Sequence, residues 1–336
     1  MNRIYHKIFS YKNIKPEKIS LAYFKIKPNN LTNNSNISNK LKKEIEIRMA
    51  QRVINLSTFP NHLREYKEIV DVKNLYVKSF AKIYNYPKIK NIDESISFGE
   101  LLGNIKEEHK YIPIEISKAV QEYKKISDES PETLNIVLDK FYSSRIGIRT
   151  IIDYYNFLFS KNPEKNYLKC NVNHVLQTAV DDARFASIQY YRDHSKIPQV
   201  KLNIPDEINI LYRASNLYFM SFEIIKNAIR AMVEDRKYKN IEIDVINTEE
   251  NIIIIFRDFA SSVKHTEVNT LFDYSFTSVN DDDLHKREIL AGFGHGLPLS
   301  RLYARFFGGD LIFVPYYGIK SEVILYLNKD VSKSTY

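Results

Sequence analysis

The sequence predicts two domains, an all-α helical bundle followed by an α+β sandwich. Three observations point there. The 336 residues suffice for about two domains at roughly 100–200 residues each. From Leu41 to about Phe159 the apolar residues recur at helical spacing, punctuated by Pro60, Pro87 and Pro113. After "SKNPEKN" the pattern changes, and two strand–turn–strand segments appear among further helices.

Taken in order, the first 16 residues carry Arg3, Lys7, Lys12 and Lys15 and no acid. Residues 1–28 are read as an amphipathic mitochondrial transit segment, with a plain basic tail as the alternative. Their removal is expected to leave a folded protein. Residues 29–40, in "KPNNLTNNSNISNK", read as an Asn-rich flexible linker. Residues 41–162 form the bundle, with helices expected at about 41–57, 70–85, 96–108 and 113–126. A long helix starts at Pro131 behind a Ser130 cap, its stripe formed by Leu134, Val137, Leu138, Phe141, Ile148, Ile152 and Tyr155. Residues 168–329 form the second domain, with helices at about 171–194, 214–235 and 298–307. Its strands lie at Ile241, Ile243 and Val245, at Ile252 to Phe256, and on both sides of a Tyr-Gly turn in "DLIFVPYYGIKSEVILYLN". Residues 330–336 are a short tail.

Composition narrows the function classes. With 44% hydrophobic residues, 24 Tyr, 19 Phe and no Trp, the core should be largely aromatic. The net charge of +8 suits anionic partners, although biased codon usage is the readier explanation. The single cysteine, Cys170, excludes internal disulfides and Cys-rich metal sites and fits a reducing compartment. No apolar run approaches the roughly 20 residues that span a bilayer.

Three segments carry candidate chemistry. In Asn216–Asp235, Glu223, Asn227, Arg230 and Glu234 share one helix face, while Leu217, Ile224, Ala228 and Ala231 can face the core. That polar face is either a solvated stripe or a site. In a site, the Asn227 oxygen suits magnesium and Glu223 can accept a proton. Asp258 ends an almost wholly apolar strand, where a charge is costly unless partnered. It is either a turn acid or an acceptor for an adenine amino group. Finally, five of the nine glycines, Gly292, Gly294, Gly296, Gly308 and Gly309, fall between Leu290 and Leu311. Glycines at alternate positions let backbone amides approach phosphate, and a helix starting near Pro298 adds its positive end. The spacing is neither the Rossmann fingerprint nor a P-loop.

The order of these segments is that of the N, G1 and G2 boxes of the GHKL ATPase and kinase superfamily. "FEIIKNAIRA", "LFDYSFTS", "LAGFGHGLPLSRLYARFFGGDL" and "LDKFYSSRIGIR" closely resemble mitochondrial protein kinases of the pyruvate dehydrogenase kinase family. The resemblance runs from about Arg48 to about Leu327. It implies a GHKL sandwich as the second domain, ATP and Mg2+ as cofactors, and transfer of phosphate to serine. By position it implies Glu223 as the general base, Asn227 as the magnesium ligand and Asp258 as the adenine acceptor. Thr277 and Ser278 would meet nucleotide beside the lid, and Gly292, Gly294, Gly296 and Leu297 would surround the phosphates. Arg230, Ala231, Glu234, Phe293 and His295 complete the implied ATP site, and His109 matches a family histidine near the catalytic glutamate.

The chain departs from the family at three places. The G1 glycines are replaced by Ala260, Ser261 and Ser262. If one of these positions is left-handed, the replacement costs roughly 1–2 kcal/mol. The family's Gly-x-Gly-Thr reads Gly318, Ile319, Lys320 and Ser321, so Lys320 is expected either to clash or to meet phosphate. The family's Asp-Trp tail is expected to be missing, since the sequence contains no Trp.

The resemblance thus implies a matrix enzyme that phosphorylates the E1 alpha subunit of a 2-oxoacid dehydrogenase complex, most nearly the pyruvate complex, with the branched-chain complex as the alternative substrate. It also implies docking on the E2 lipoyl domain, a homodimer, no membrane span and no nucleic acid. The rival reading, favoured by the altered G1 box, is a pseudokinase that docks without transferring phosphate. A chaperone- or topoisomerase-type ATPase would need a different arrangement from this helical front half.

Overall fold

In the computed structural model the chain divides into two units, Met1–Asn166 and Tyr167–Thr335. The structure describes residues 2–17, 34–159, 169–204, 206–260, 263–276 and 294–330.

The first unit is helical among its described residues: α1 (Asn2–Ser10), α2 (Asn34–Leu56), α3 (Lys67–Tyr84), α4 (Ile92–Glu108), α5 (Ile112–Ile126) and α6 (Pro131–Phe159). α6 packs against both α2 and α4. Accordingly its buried residues spread beyond one stripe, adding Tyr142, Ile146 and Ile151 to Leu134, Leu138 and Phe141. Each fully buried large side chain contributes about 1.5–3 kcal/mol of transfer free energy. The core is aromatic as expected, with Tyr76, Phe80, Phe98, Phe141, Tyr142 and Tyr155 among the largest fully buried side chains. Ser130 caps α6, accepting the Thr133 N–H at 3.4 Å.

One expectation is corrected here. The Asn-rich linker does not extend to residue 40, because α2 already begins at Asn34. Ser38 is fully buried and bonds Ser95 Oγ at 2.8 Å. The Asn39 amide clasps the backbone of Ile89, accepting its N–H at 3.1 Å and donating to its carbonyl at 2.8 Å. Short polar side chains serve here as packing groups, which composition alone reads as solvated.

The basic start is packed on the helical unit rather than held apart from it. α1 packs on α2 and α3, burying Ile8 completely and Tyr11 almost completely. The Tyr11 hydroxyl donates to Glu46 Oε2 at 3.0 Å and accepts from Lys43 Nζ at 2.6 Å. Its ring meets Phe80 edge-on at 5.7 Å. Ile4, Ile8 and Tyr11 recur at spacings of four and three, and the same period serves a targeting helix and a docking helix.

The second unit contains β1 (Lys169–Asn171), α7 (Val172–Tyr191), β2 (Val200–Asn203), β3 (Asn209–Leu211), α8 (Ala214–Glu234), β4 (Ile241–Asn247), β5 (Asn251–Asp258), α9 (Gly296–Phe306), β6 (Asp310–Tyr316) and β7 (Lys320–Asn328). Its main sheet has the order β2-β4-β5-β7-β6. All pairs are antiparallel except β2 with β4, and β1 pairs with β3 in a small sheet. The two hairpins fall where the sequence predicts them. β1, β2 and β3 were not predicted, since strands of three or four residues pair only through distant partners. α8 packs against α7, α9 and β5. On β5, Ile252, Ile254, Phe256 and Asp258 alternate on the buried face. α9 ends at Phe306, and Gly309 N–H returns to Ala304 O at 2.9 Å. A Cβ on Gly309 would lie 1.9 Å from the Tyr326 carbonyl oxygen, so only glycine passes β7 there.

Deleting residues 1–17 is expected to destabilise the helical unit by about 3 kcal/mol, the burial lost with Ile8 and Tyr11. Urea unfolding of the full chain and the truncated chain measures this, and equal midpoints would refute it.

Candidate functional site

One face of α8, the end of β5 and the start of α9 enclose a cavity of about 500 Å³. Glu223, Asn227, Arg230, Ala231 and Glu234 line it from α8, so the polar stripe faces a cavity, with Glu234 at its solvent-exposed edge. Phe256 and Asp258 line it from β5, Gly294, Gly296 and Leu297 from the glycine-rich stretch, and Ser321 and Val323 from β7. Val263, Leu271 and Phe276 add apolar lining, beside Glu267 and Thr270.

Glu223 is 9% exposed and sits in an ion pair with Lys226. Its carboxylate also lies against the first residue of α9: a Cβ on Gly296 would be 2.1 Å from Glu223 Oε2. Gly296 is therefore a close-approach glycine, and the positive end of α9 opens at the cavity wall. Sequence reasoning missed Lys226. Its signal was present in the i,i+3 spacing from Glu223 on a helix.

Asp258 reaches the cavity because strand alternation carries it onto the buried face. It accepts the Ala260 N–H at 3.0 Å. Burial pushes its carboxyl up to about 7; the Ala260 hydrogen bond opposes this and the nearby Asp235 charge adds to it. Ala260 is not among the described residues with positive φ, so losing that glycine carries no left-handed strain. Ser261 and Ser262 lie outside the described residues. The expectation for Lys320 is corrected: it neither clashes nor meets the cavity. Its Nζ donates to Glu322 Oε1 at 2.8 Å and lies 4.7 Å from the Tyr316 ring centroid.

His295 directly precedes α9 without a side-chain cap bond; its ring packs edge-on against Tyr274 at 5.0 Å and is absent from the cavity wall. Burial pushes it down to about 3, so it is neutral at physiological pH. His109 belongs to the helical unit, where it is buried with Nε2 2.8 Å from Ser79 Oγ and its carbonyl accepting from Arg145 Nη2 at 3.1 Å. Burial, then the cations Arg145, Arg149 and Lys82, push it down to about 3. It too is neutral and suited to hydrogen bonding rather than proton storage. Thr277, Ser278, Gly292 and Phe293 lie outside the described residues.

Comparison with known proteins gives the same direction. The family model described as mitochondrial branched-chain alpha-ketoacid dehydrogenase kinase matches residues 18–176. The chain is 30% identical to human pyruvate dehydrogenase (acetyl-transferring) kinase isozyme 4, mitochondrial, over 88% of this chain and 77% of the relative. It is 29% identical to the mitochondrial pyruvate dehydrogenase (acetyl-transferring) kinases of Drosophila melanogaster and Arabidopsis thaliana. These matches cover 85% and 86% of this chain and 76% and 83% of those relatives. With the motif order, the two-unit fold and these similarities together, the chain belongs to the family of mitochondrial pyruvate dehydrogenase and branched-chain 2-oxoacid dehydrogenase kinases.

Proposed function

We propose that this chain is an ATP-dependent protein serine kinase of the GHKL superfamily that phosphorylates, and so inhibits, the E1 component of a mitochondrial 2-oxoacid dehydrogenase complex, the pyruvate complex in the first place. The observation that carries this reading is the convergence of Glu223, Asn227, Asp258 and the start of α9 on one cavity. Docking on the E2 lipoyl domain, contact with the E1 alpha subunit, a homodimer and residence in the matrix belong to the same reading.

In this reading Asp258 accepts a hydrogen bond from the adenine amino group in the deep end of the cavity. The backbone at Gly294, Gly296 and Leu297, with the start of α9, holds phosphate oxygens. Among the described residues there is no cluster of three His, Cys, Asp or Glu that could hold a metal ion alone. The wall instead offers the Asn227 amide oxygen and the Glu223 carboxylate, hard oxygen donors that fit magnesium, an ion that draws most of its ligands from water and phosphate. Asn227 would hold the ion, which neutralises phosphate charge when bound. Glu223 takes the proton from the substrate serine hydroxyl as the new oxygen–phosphorus bond forms and the bond from the γ-phosphorus to the ADP oxygen breaks. His109, neutral and fixed by Ser79, would act as a hydrogen-bonding group rather than a proton donor.

The pseudokinase reading drew on the altered G1 box. At Ala260 that ground is removed by its ordinary backbone conformation, and the relatives are named as kinases.

Replacing Glu223 with Gln is expected to lower phosphate transfer to E1 by about 10²–10⁴-fold while nucleotide affinity stays within about twofold. Transfer of labelled phosphate and calorimetric titration with ATP read the two quantities, and transfer at the parent rate removes Glu223 from the role of base.

Asp258 gives a pH signature. Its carboxyl, raised to about 7 in the folded state from 3.8, favours folding when protonated. That contribution, on the order of 4 kcal/mol, is fully present below about pH 4 and is lost as pH rises through about 7. Adenine needs the ionised form, so ATP affinity rises over the same interval. Asp258→Asn should flatten both profiles in thermal unfolding and binding titrations; parallel profiles for parent and variant would exclude this assignment.

A further inference from the structure

Glu223 and Lys226 are one helical turn apart on α8, and both are buried, at 9% and 4% exposure. Lys226 Nζ donates to both carboxylate oxygens, at 2.8 Å to Oε1 and 2.7 Å to Oε2. The ammonium also lies 5.5 Å from the centroid of the Phe222 ring. Glu223 lines the cavity, whereas Lys226 does not. A buried ion pair is weak evidence for stability, because desolvating two charges offsets most of their attraction. This pair has a second constraint that an ordinary i,i+3 pair lacks. A Cβ on Gly296 would stand 2.1 Å from Glu223 Oε2 and 3.0 Å from Cδ. The carboxylate is therefore bounded by a cation of its own helix and by the backbone that opens α9. Its rotation is restricted by both.

We propose that Lys226 is a positioning residue for Glu223. It grips both carboxylate oxygens and so fixes the direction from which one of them meets the substrate hydroxyl. It does so from outside the cavity, with no contact to nucleotide. The glycine at 296 is the complement of this device, since it leaves the space that the gripped carboxylate occupies. This inference rests on the reading of Glu223 as the general base. Positioning errors of about 1 Å cost on the order of 10²-fold in rate. A lysine that only steadied α8 would instead affect folding and leave transfer per folded molecule unchanged.

The test uses the full chain with Lys226→Met and Lys226→Gln, the double variant Glu223→Gln/Lys226→Gln, and an E1 substrate. Thermal unfolding establishes the folded fraction of each. The expected result is a kcat lowered about 10- to 100-fold in both single variants, with ATP dissociation constants within about twofold of the parent. The double variant should transfer no more slowly than Glu223→Gln alone, because a positioning residue has nothing left to position. Three results would overturn the proposal: a folded Lys226→Gln with the parent's kcat, losses that multiply in the double variant, or failure of both single variants to fold. An active parent with an unaffected Lys226→Gln overturns this inference alone. A parent that binds ATP but transfers no phosphate overturns the kinase reading and this inference with it.

Discussion

The Glu223 carboxylate touches the backbone of Gly296, and that approach is the constraint on which the site depends. It joins the middle of α8 to the first residue of α9, two elements more than 60 residues apart in sequence. No side chain fits between them. The approach therefore requires glycine at the start of α9, and it holds the positive end of that helix at the same wall as Glu223 and Asn227. One packing contact thus brings a carboxylate and a helix N-terminus to the same wall.

β5 contributes its part of the cavity wall by simple alternation. Ile252, Ile254 and Phe256 commit one face of the strand to the core, and the same period carries Asp258 onto that face. The intervening Arg257 points the other way, where its Nε meets Glu322 of β7 at 2.8 Å and its Nη1 pairs with Asp244 of β4. The strand thus divides its charges between a structural pair on one side and a poorly solvated carboxyl on the other. The burial that makes an ionised Asp258 costly also raises the worth of any hydrogen-bond donor that meets it.

The helical unit solves a related problem with Arg52. Arg52 is fully buried, yet its guanidinium donates to the Phe141 carbonyl at 2.7 Å and lies 5.2 Å from that ring's centroid. Burial lowers its pKa to about 10, which leaves it charged. His109, buried nearby in the same bundle fold, takes the opposite course and is neutral. The aromatic residues counted in the sequence accommodate both. Tyr76 meets the His109 ring edge-on at 4.7 Å and Phe141 edge-on at 6.4 Å.

The sequence by itself determined the helical front half, both hairpins, the shared face of Glu223, Asn227, Arg230 and Glu234, and Asp258 at a strand end. All of these follow from periods of 3.6 and 2, which local sequence carries in full. It did not determine whether that face met solvent or a cavity, because the opposite wall comes from β5, β7 and α9, far along the chain. Nor did it reveal Lys226, since a lysine one turn from a glutamate reads as a surface pair until burial is known. The Asn-rich stretch misled because composition describes what a segment would do in water, whereas Ser38 is fully buried and the Asn39 amide is held by the Ile89 backbone; Ile8 and Tyr11 of the basic start are buried in the same way. Tertiary structure alone decided these points, because burial is set by neighbours distant in sequence, and burial is what turns a charge or a short polar side chain into a constraint.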